Sequence, residues 1–318
     1  MKQPSQILWI EKYRPQKLNE VCLSTSHKKF FEKIIKEKNI HNLLFFGEAG
    51  QGKTTLAKVL CNEIGCEYLY LNGSLENSID DIRTKVSSFA FSKSVFDNTL
   101  KVVILDEADR LGGGNSSNAM ESLKVLMEQV HKQTRFILCT NNIHRIIDPL
   151  KSRMHIIQLI PEDKKGRNEV AKQYIKRLKY ILEKENVKYD DVYLKEIVKH
   201  YFPDLRKIIN ESQRIYETEG KLTKETLKIS LITEFKDLIE SLKERNFTKM
   251  VKEVANVESN YFFNSFYKSI KKVVEPQELP KIVEILGEYN KFHNLCADKQ
   301  LNVLACCLEL MKTIKGWL

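Results

Sequence analysis

The stretch Asn42-Leu43-Leu44-Phe45-Phe46-Gly47-Glu48-Ala49-Gly50-Gln51-Gly52-Lys53-Thr54 decides the fold. An apolar run of strand length delivers the chain to a G-x-x-x-x-G-K-T loop, and Thr55-Leu56-Ala57-Lys58-Val59-Leu60 continues in a helical pattern. A phosphate-binding loop needs this setting. Glycines let backbone N–H groups approach an anion, and a helix that starts there turns its positive dipole end toward it. Gly47, Gly50 and Gly52 permit the turn, and Glu48, Ala49 and Gln51 complete it. Lys53 reaches β- and γ-phosphates as a point charge, the Thr54 hydroxyl suits a Mg²⁺ ligand, and Thr55 opens the helix. The loop predicts a bound nucleoside triphosphate.

Two further apolar runs end in polar groups. Lys101-Val102-Val103-Ile104-Leu105-Asp106-Glu107-Ala108-Asp109 brings two carboxylates to the carboxyl end of a strand, the edge on which the phosphate loop also lies. Asp106 is suited to hold Mg²⁺ through water and Glu107 to polarise the water that attacks a γ-phosphate. Phe136-Ile137-Leu138-Cys139-Thr140-Asn141-Asn142 ends in amides that either reach a γ-phosphate or simply form a turn. In Asp148-Pro149-Leu150-Lys151-Ser152-Arg153, a proline-initiated turn ends in an arginine, a solvated charge or a guanidinium for phosphoryl transfer.

The chain has 318 residues, 42% of them hydrophobic and 30% charged, enough for two or three helix-rich packed domains. Lys plus Arg exceed Asp plus Glu by 52 to 42, so the net charge of +10 points to an anionic partner besides the nucleotide, most simply nucleic acid. Cys22, Cys61, Cys66, Cys139, Cys296, Cys306 and Cys307 contain no C-x-x-C pair, which argues against a zinc site and a disulfide framework and for a reducing compartment. No apolar run reaches bilayer length and the amino terminus is polar, so the expected location is the cytoplasm, with no membrane partner.

Three textures follow one another. From Trp9 to Leu159, strand-like runs at Leu43–Phe46, Tyr68–Leu71, Val102–Leu105 and Phe136–Cys139 alternate with amphipathic stretches, which implies an α/β domain with helices on both faces of a parallel sheet over 1–160. Residues 161–233 read as charged helices, among them Asp163–Glu185 and Leu205–Glu217, with Pro161 and Pro203 as helix starts. Residues 234–318 stay helical, with breaks near Glu275-Pro276 and Leu279-Pro280 and a last helix from Leu301 to Trp317.

The order G-x-x-x-x-G-K-T, L-D-E-A-D, T-N-N and P-L-K-S-R, preceded by Trp9-Ile10-Glu11-Lys12-Tyr13-Arg14-Pro15, resembles the AAA+ ATPase subunits of sliding-clamp loaders, the replication factor C class. The W-x-E-K-Y-R-P tract is the most specific of these motifs, since generic AAA+ proteins lack it. Phe202-Pro203-Asp204-Leu205-Arg206-Lys207 is similar to the second sensor helix, and Leu286–His293 most resembles the large ATPase subunit of T-even bacteriophage loaders. The resemblance spans the whole chain and implies an AAA+ domain (1–160), a helical lid (161–233) and an all-α collar (234–318).

It also implies roles. Lys53 and Thr54 hold the phosphates of ATP and Mg²⁺, Asp106 is the metal-site acid, Glu107 the catalytic base, Asn141 the first sensor, and Arg206 touches the γ-phosphate from the lid. Tyr13, Arg14 and Pro15 lie near adenine. Arg153 reaches a neighbouring subunit's site as an arginine finger, with Met154 where the family has cysteine. The implied partners are primer-template DNA, a ring-shaped sliding clamp, a smaller loader subunit and copies of the chain itself, four in a five-subunit complex. For DNA, the form Ser78-Ile79-Asp80-Asp81 reads as a capping box whose helix carries Arg83 and Lys85, and the polar loop Arg110–Asn118 leads into a helix from Ala119 to Val130 with Lys124. Arg83, Lys85 and Lys124 are therefore expected backbone contacts, with solvated helix faces as the alternative. Two other readings share the nucleotide motifs: a different DNA-acting AAA+ machine, such as a branch-migration motor or helicase loader, and a non-hydrolysing scaffold subunit. The W-x-E-K-Y-R-P tract argues against the first, and the presence of Lys53, Glu107, Arg153 and Arg206 against the second.

Overall fold

The computed structural model describes residues 8–75, 79–92, 100–111, 116–132, 134–227, 235–257, 259, 262–271, 273–293 and 295–317. Its first elements run α1 (Trp9–Lys12), α2 (Thr25–Glu37), β1 (Leu43–Phe46), α3 (Lys53–Ile64), β2 (Glu67–Asn72), α4 (Ile79–Phe91) and β3 (Lys101–Asp106). There follow α5 (Ser116–Val130), β4 (Thr134–Thr140), α6 (Asp148–Lys151), β5 (His155–Gln158), α7 (Lys164–Lys184), α8 (Asp191–Tyr201) and α9 (Leu205–Glu219). The strands form one all-parallel sheet in the order β2-β3-β4-β1-β5. Alternation along each strand divides the core in two. Leu43, Phe45, Val102, Ile104, Ile137 and Cys139 face one cluster with α2 and α3. Leu44, Val103, Leu105, Phe136 and Leu138 face another with α4 and α5. Covering both faces explains why these strands read as unbroken apolar runs rather than as an alternating pattern. Each fully buried Leu, Ile or Phe adds roughly 1.5–3 kcal/mol to a sheet whose ends must stay fixed to position the site.

All four expected strands are present, each a residue or more longer wherever it differs. The fifth, β5, was not expected: His155-Ile156-Ile157-Gln158 pairs on one side only, with β1, and buries only Ile157. Its edge position removes the apolar signature. The helix expected at Asp163–Glu185 is α7, which Asp163 caps by accepting from Gly166 N at 2.7 Å. A side chain on Gly166 would meet Pro161 at 2.8 Å, so proline and glycine together fix the turn into the helix.

The described residues group into two compact units, Met1–Asn186 with Tyr201–Arg214, and Val187–His200 with Ile215–Leu318. The second contains α10 (Lys236–Lys243), α11 (Phe247–Asn256), α12 (Phe262–Ile270), α13 (Leu279–Phe292) and α14 (Lys299–Thr313) around one apolar core. The expected breaks at Pro276 and Pro280 are a 3₁₀ turn and the first turn of α13. The last helix differs from its expected bounds. Asp298 accepts from the N–H groups of Gln300 and Leu301, so α14 starts at Lys299. It stops at Thr313 because Trp317 pairs antiparallel with Val274 and Glu275 N donates to Gly316 O at 3.2 Å. Among the described residues no helix is long and apolar enough to cross a membrane, and the seven cysteines are free thiols.

Candidate nucleotide site

The carboxyl ends of β1, β3 and β4 meet in the middle of the sheet, and the polar termini foreseen from sequence converge there. Gly47, Gly50 and Gly52 have φ of 145°, 73° and 88°, a conformation that turns the loop N–H groups inward and that a side chain would strain. Gly52 is the N-cap of α3, so the helix opens at the loop. Glu48 and Ala49 are exposed at its tip. Lys53 is 8% exposed, and its Nζ donates to Gly47 O at 2.8 Å, Glu48 O at 2.7 Å and Asn141 Oδ1 at 2.8 Å. Burial pushes its pKa down, against the pull of Cys139, Asp106 and Asp109. An ammonium held among neutral acceptors in a low-dielectric position is one that a phosphate would recruit.

Thr54 Oγ1 donates to Asp106 Oδ2 at 2.6 Å, and Tyr70 OH donates to the same oxygen at 3.1 Å. Burial, with the carboxylate beside it, pushes the Tyr70 phenol up to about 12, so this hydroxyl remains a donor. Glu107 has φ 49°, in the left-handed region, a strain of about 1–3 kcal/mol for a non-glycine residue. Its buried Oε2 accepts no hydrogen bond among the described residues and faces Arg110 Nε at 3.5 Å. Gly73 supports this turn: its N–H donates to Asp106 O at 2.8 Å, and a Cβ there would lie 2.6 Å from Glu107 O. Asp109, in the turn after β3, fixes the end of β4: its Oδ1 accepts from Thr140 Oγ1 at 2.7 Å and Asn141 N at 3.3 Å. The two asparagines of T-N-N differ: Asn141 Oδ1 accepts from Lys53, whereas Asn142 Oδ1 accepts from His144 N at 3.0 Å as a turn former.

Beside the loop lies a pocket lined by Tyr13, Arg14, Pro15, Gly50, Gln51, Gly52, Thr55 and Arg206. Ile10, Val21, Cys22, Tyr174, Leu205 and Ile209 give it an apolar wall, as a purine needs. The W-x-E-K-Y-R-P tract is tied down at several points: Trp9 N donates to Gln213 Oε1 at 2.8 Å, Tyr13 OH to Glu185, and Arg177 Nη2 to Tyr13 O at 2.6 Å. Arg14 Nε reaches Thr55 Oγ1 at 3.4 Å. Asp204 caps α9 through Lys207 N at 2.9 Å, and a Cβ on Gly50 would fall 1.7 Å from its Oδ1, so the loop packs on the helix start that presents Arg206. Arg206 is exposed and unpaired among the described residues. Val21, Cys22, Tyr174, Arg177 and Gly73 were not foreseen, since nothing in their spacing separates them from ordinary core or turn positions.

Arg153 is placed differently. It does not line the pocket: its Nε and Nη2 donate to Glu128 Oε1 at 3.0 and 2.6 Å, and Nη1 to Pro149 O at 2.7 Å. Among the expected DNA contacts, Arg83 and Lys85 are exposed on α4, and Lys124 is half-buried and paired with Glu121 at 2.6 Å. Ser78 and residues 112–115, part of the expected helix-start phosphate sites, lie outside the described residues.

A five-stranded parallel sheet with the phosphate loop after its β1, paired acids after β3 and an amide after β4 defines an AAA+ ATPase. Residues 43–162 match the family of ATPases associated with various cellular activities. Residues 166–228 match the AAA+ ATPase lid domain, and 259–315 the C-terminal domain, of the sliding-clamp-loader large subunit. The sliding-clamp-loader large subunit of Enterobacteria phage T4 is 32% identical over 94% of each chain, and that of Escherichia phage RB69 is 31% identical over the same share. Replication factor C small subunit 2 of Pyrobaculum islandicum is 37% identical over 79% of this chain and 78% of its own. The chain belongs to the clamp-loader ATPase family and is an ATP-hydrolysing enzyme of DNA replication. The Thermotoga maritima RuvB branch migration motor superposes with a TM-score of 0.54 over 77% of this chain and 86% of its own at 17% identity, a likeness of AAA+ fold alone.

Proposed function

We propose that the chain is the ATPase subunit that opens a ring-shaped sliding clamp and loads it at primer-template junctions, in the cytoplasm, in a five-subunit complex with three further copies of itself and a smaller subunit. The domains are 1–160 for the ATPase, 161–233 for the lid and 234–318 for the collar. ATP lies with its base in the pocket behind Tyr13, Arg14 and Pro15 and its phosphates on Gly47 to Thr54. Thr54 and Asp106 suit Mg²⁺, which would neutralise phosphate charge when bound. The three positive-φ glycines support this fit, as does the buried Glu107 Oε2, which accepts no hydrogen bond among the described residues. Lys53 exchanges its loop carbonyls for phosphate oxygens. Asn141 then keeps its orientation, and Glu107 takes the proton of the attacking water. Arg206 closes on the phosphates from the lid, while Arg83, Lys85 and Lys124 follow the DNA backbone.

The observation that carries the reading is the contrast between two arginines. Arg206 lines the pocket of its own chain, and Arg153 is turned onto Glu128 and Pro149 outside it. A site that keeps its base, its sensor amide and its lid arginine but not this guanidinium is one completed by a neighbour. Mixed complexes of Glu107→Gln and Arg153→Ala subunits test it. Arg153→Ala should abolish turnover next door and leave nucleotide affinity in its own site unchanged. An Arg153 that acts only within its own chain would sink the shared site.

A further inference from the structure

The positive charge of the chain is not spread evenly. Within the net +10, α2 and α7 carry twelve Lys or Arg against four Glu, a net +8. These helices are also fastened together. Thr25 N, at the start of α2, donates to Glu169 Oε2 at 3.1 Å, and Leu23 N to Gln173 Oε1 at 3.1 Å, while Gln173 returns a bond to Leu23 O. Joining two like-charged helices leaves a surface whose counter-charge must come from elsewhere.

Lys172, Lys176 and Lys179 are exposed on α7 at i, i+4 and i+7, one face of the helix, spaced by about 6 and 4.5 Å along the axis. None makes an ion pair among the described residues. Nearby carboxylates are engaged: the Thr25 N–H holds Glu169 below its usual range, and Glu20 accepts from Gln16 N at 2.9 Å and faces Arg177 at 3.9 Å. The lysine row runs into a groove lined by Lys28, Gln173, Lys176, Arg177 and Tyr180, with Glu20 at its wall. Tyr180 is 44% exposed as a residue, its ring edge-on to Tyr13, with the Arg177 guanidinium 5.3 Å and the Lys184 ammonium 5.9 Å from its centroid. A row of open cations that ends on an accessible aromatic ring is how proteins hold single strands, backbone on the cations and a base on the ring. A duplex has its bases already stacked and would leave Tyr180 unused. An acidic protein would satisfy the lysines alone and gives no reason for an open aromatic ring at the end of the row.

We propose that the α2–α7 face binds single-stranded nucleic acid, with phosphates along Lys172, Lys176 and Lys179 and a base against Tyr180, at a site separate from Arg83, Lys85 and Lys124. Anisotropy of a labelled oligothymidylate, titrated with the full chain over a series of salt concentrations, tests it. The variant K172E/K176E/K179E, with its melting transition in place, should lose at least tenfold in affinity and reduce the salt slope by about two. Tyr180→Ala should lose about fivefold or more, and Tyr180→Phe should restore it. Unchanged binding in the triple variant overturns the proposal. So does loss of binding to the sliding clamp with the oligonucleotide still held, which would assign the face to an acidic protein. Failure in either form leaves the clamp-loader reading standing, since that rests on the nucleotide site.

Discussion

Lys53 Nζ and Asn141 Oδ1, 88 positions apart in the chain, lie 2.8 Å from each other across the carboxyl ends of β1 and β4. The amide at the end of β4 accepts from the cation that, in the proposed site, follows the phosphates. Asn141→Ala is expected to lower kcat roughly 10²-fold, the scale of removing one preorganised polar group. Affinity for ATP should change much less, because the loop N–H groups remain. Single-turnover hydrolysis set beside equilibrium nucleotide binding separates the two.

Gly73→Ala should impair turnover although Gly73 touches no expected ligand. A Cβ at this position would stand 2.6 Å from Glu107 O. The strained turn that aims the Glu107 carboxylate must shift to admit it, and a shift of that kind costs on the order of 10²-fold in rate. Unaltered kcat in G73A, measured against wild type at saturating ATP, would mean that the turn is not what sets the base.

The pair between Arg153 and Glu128 is half-exposed, with side-chain accessibilities of 41% and 51%. Such pairs contribute about 0–1 kcal/mol. Glu128→Gln should therefore leave the melting temperature within about 2 °C of wild type, and the guanidinium is cheap to release toward a neighbour. A large loss of stability in E128Q would make the pair structural.

His293 is buried in the second compact unit, with Nδ1 3.1 Å from Asn302 Nδ2 and its ring edge-on to Phe263. Burial holds its pKa below 6.5. Because the unfolded chain takes up the proton first, stability is full above pH 6.5 and falls as pH drops from there toward the folded value. Melting of the wild type at pH 7.5 and 5.5 should show this fall, and His293→Gln should reduce it. His27, pushed down by burial in the other unit, contributes a fall of the same sign that this substitution leaves in place.

The sheet was legible because β1, β3 and β4 are buried on both faces, and β5 was not because an edge strand ending in His155 and Gln158 buries one side chain. The site was legible where chemistry dictates residue type and spacing, as in Gly47 to Thr54 and in Asp106 and Glu107. It was illegible where a residue acts through shape alone. Gly73 matters for the atom it lacks, and Val21 and Tyr174 wall the pocket as they would wall any core. The T-N-N tract shows the boundary. Sequence left two meanings open for the asparagines; in the fold Asn142 forms the turn and Asn141 accepts from Lys53.

The most direct measurement is steady-state ATP hydrolysis by the chain assembled with its loader partner, with and without primer-template DNA and sliding clamp. DNA and clamp together should raise turnover at least tenfold over the basal rate, and Glu107→Gln should abolish the increase while ATP still binds. Turnover that is indifferent to both would contradict the clamp-loading role.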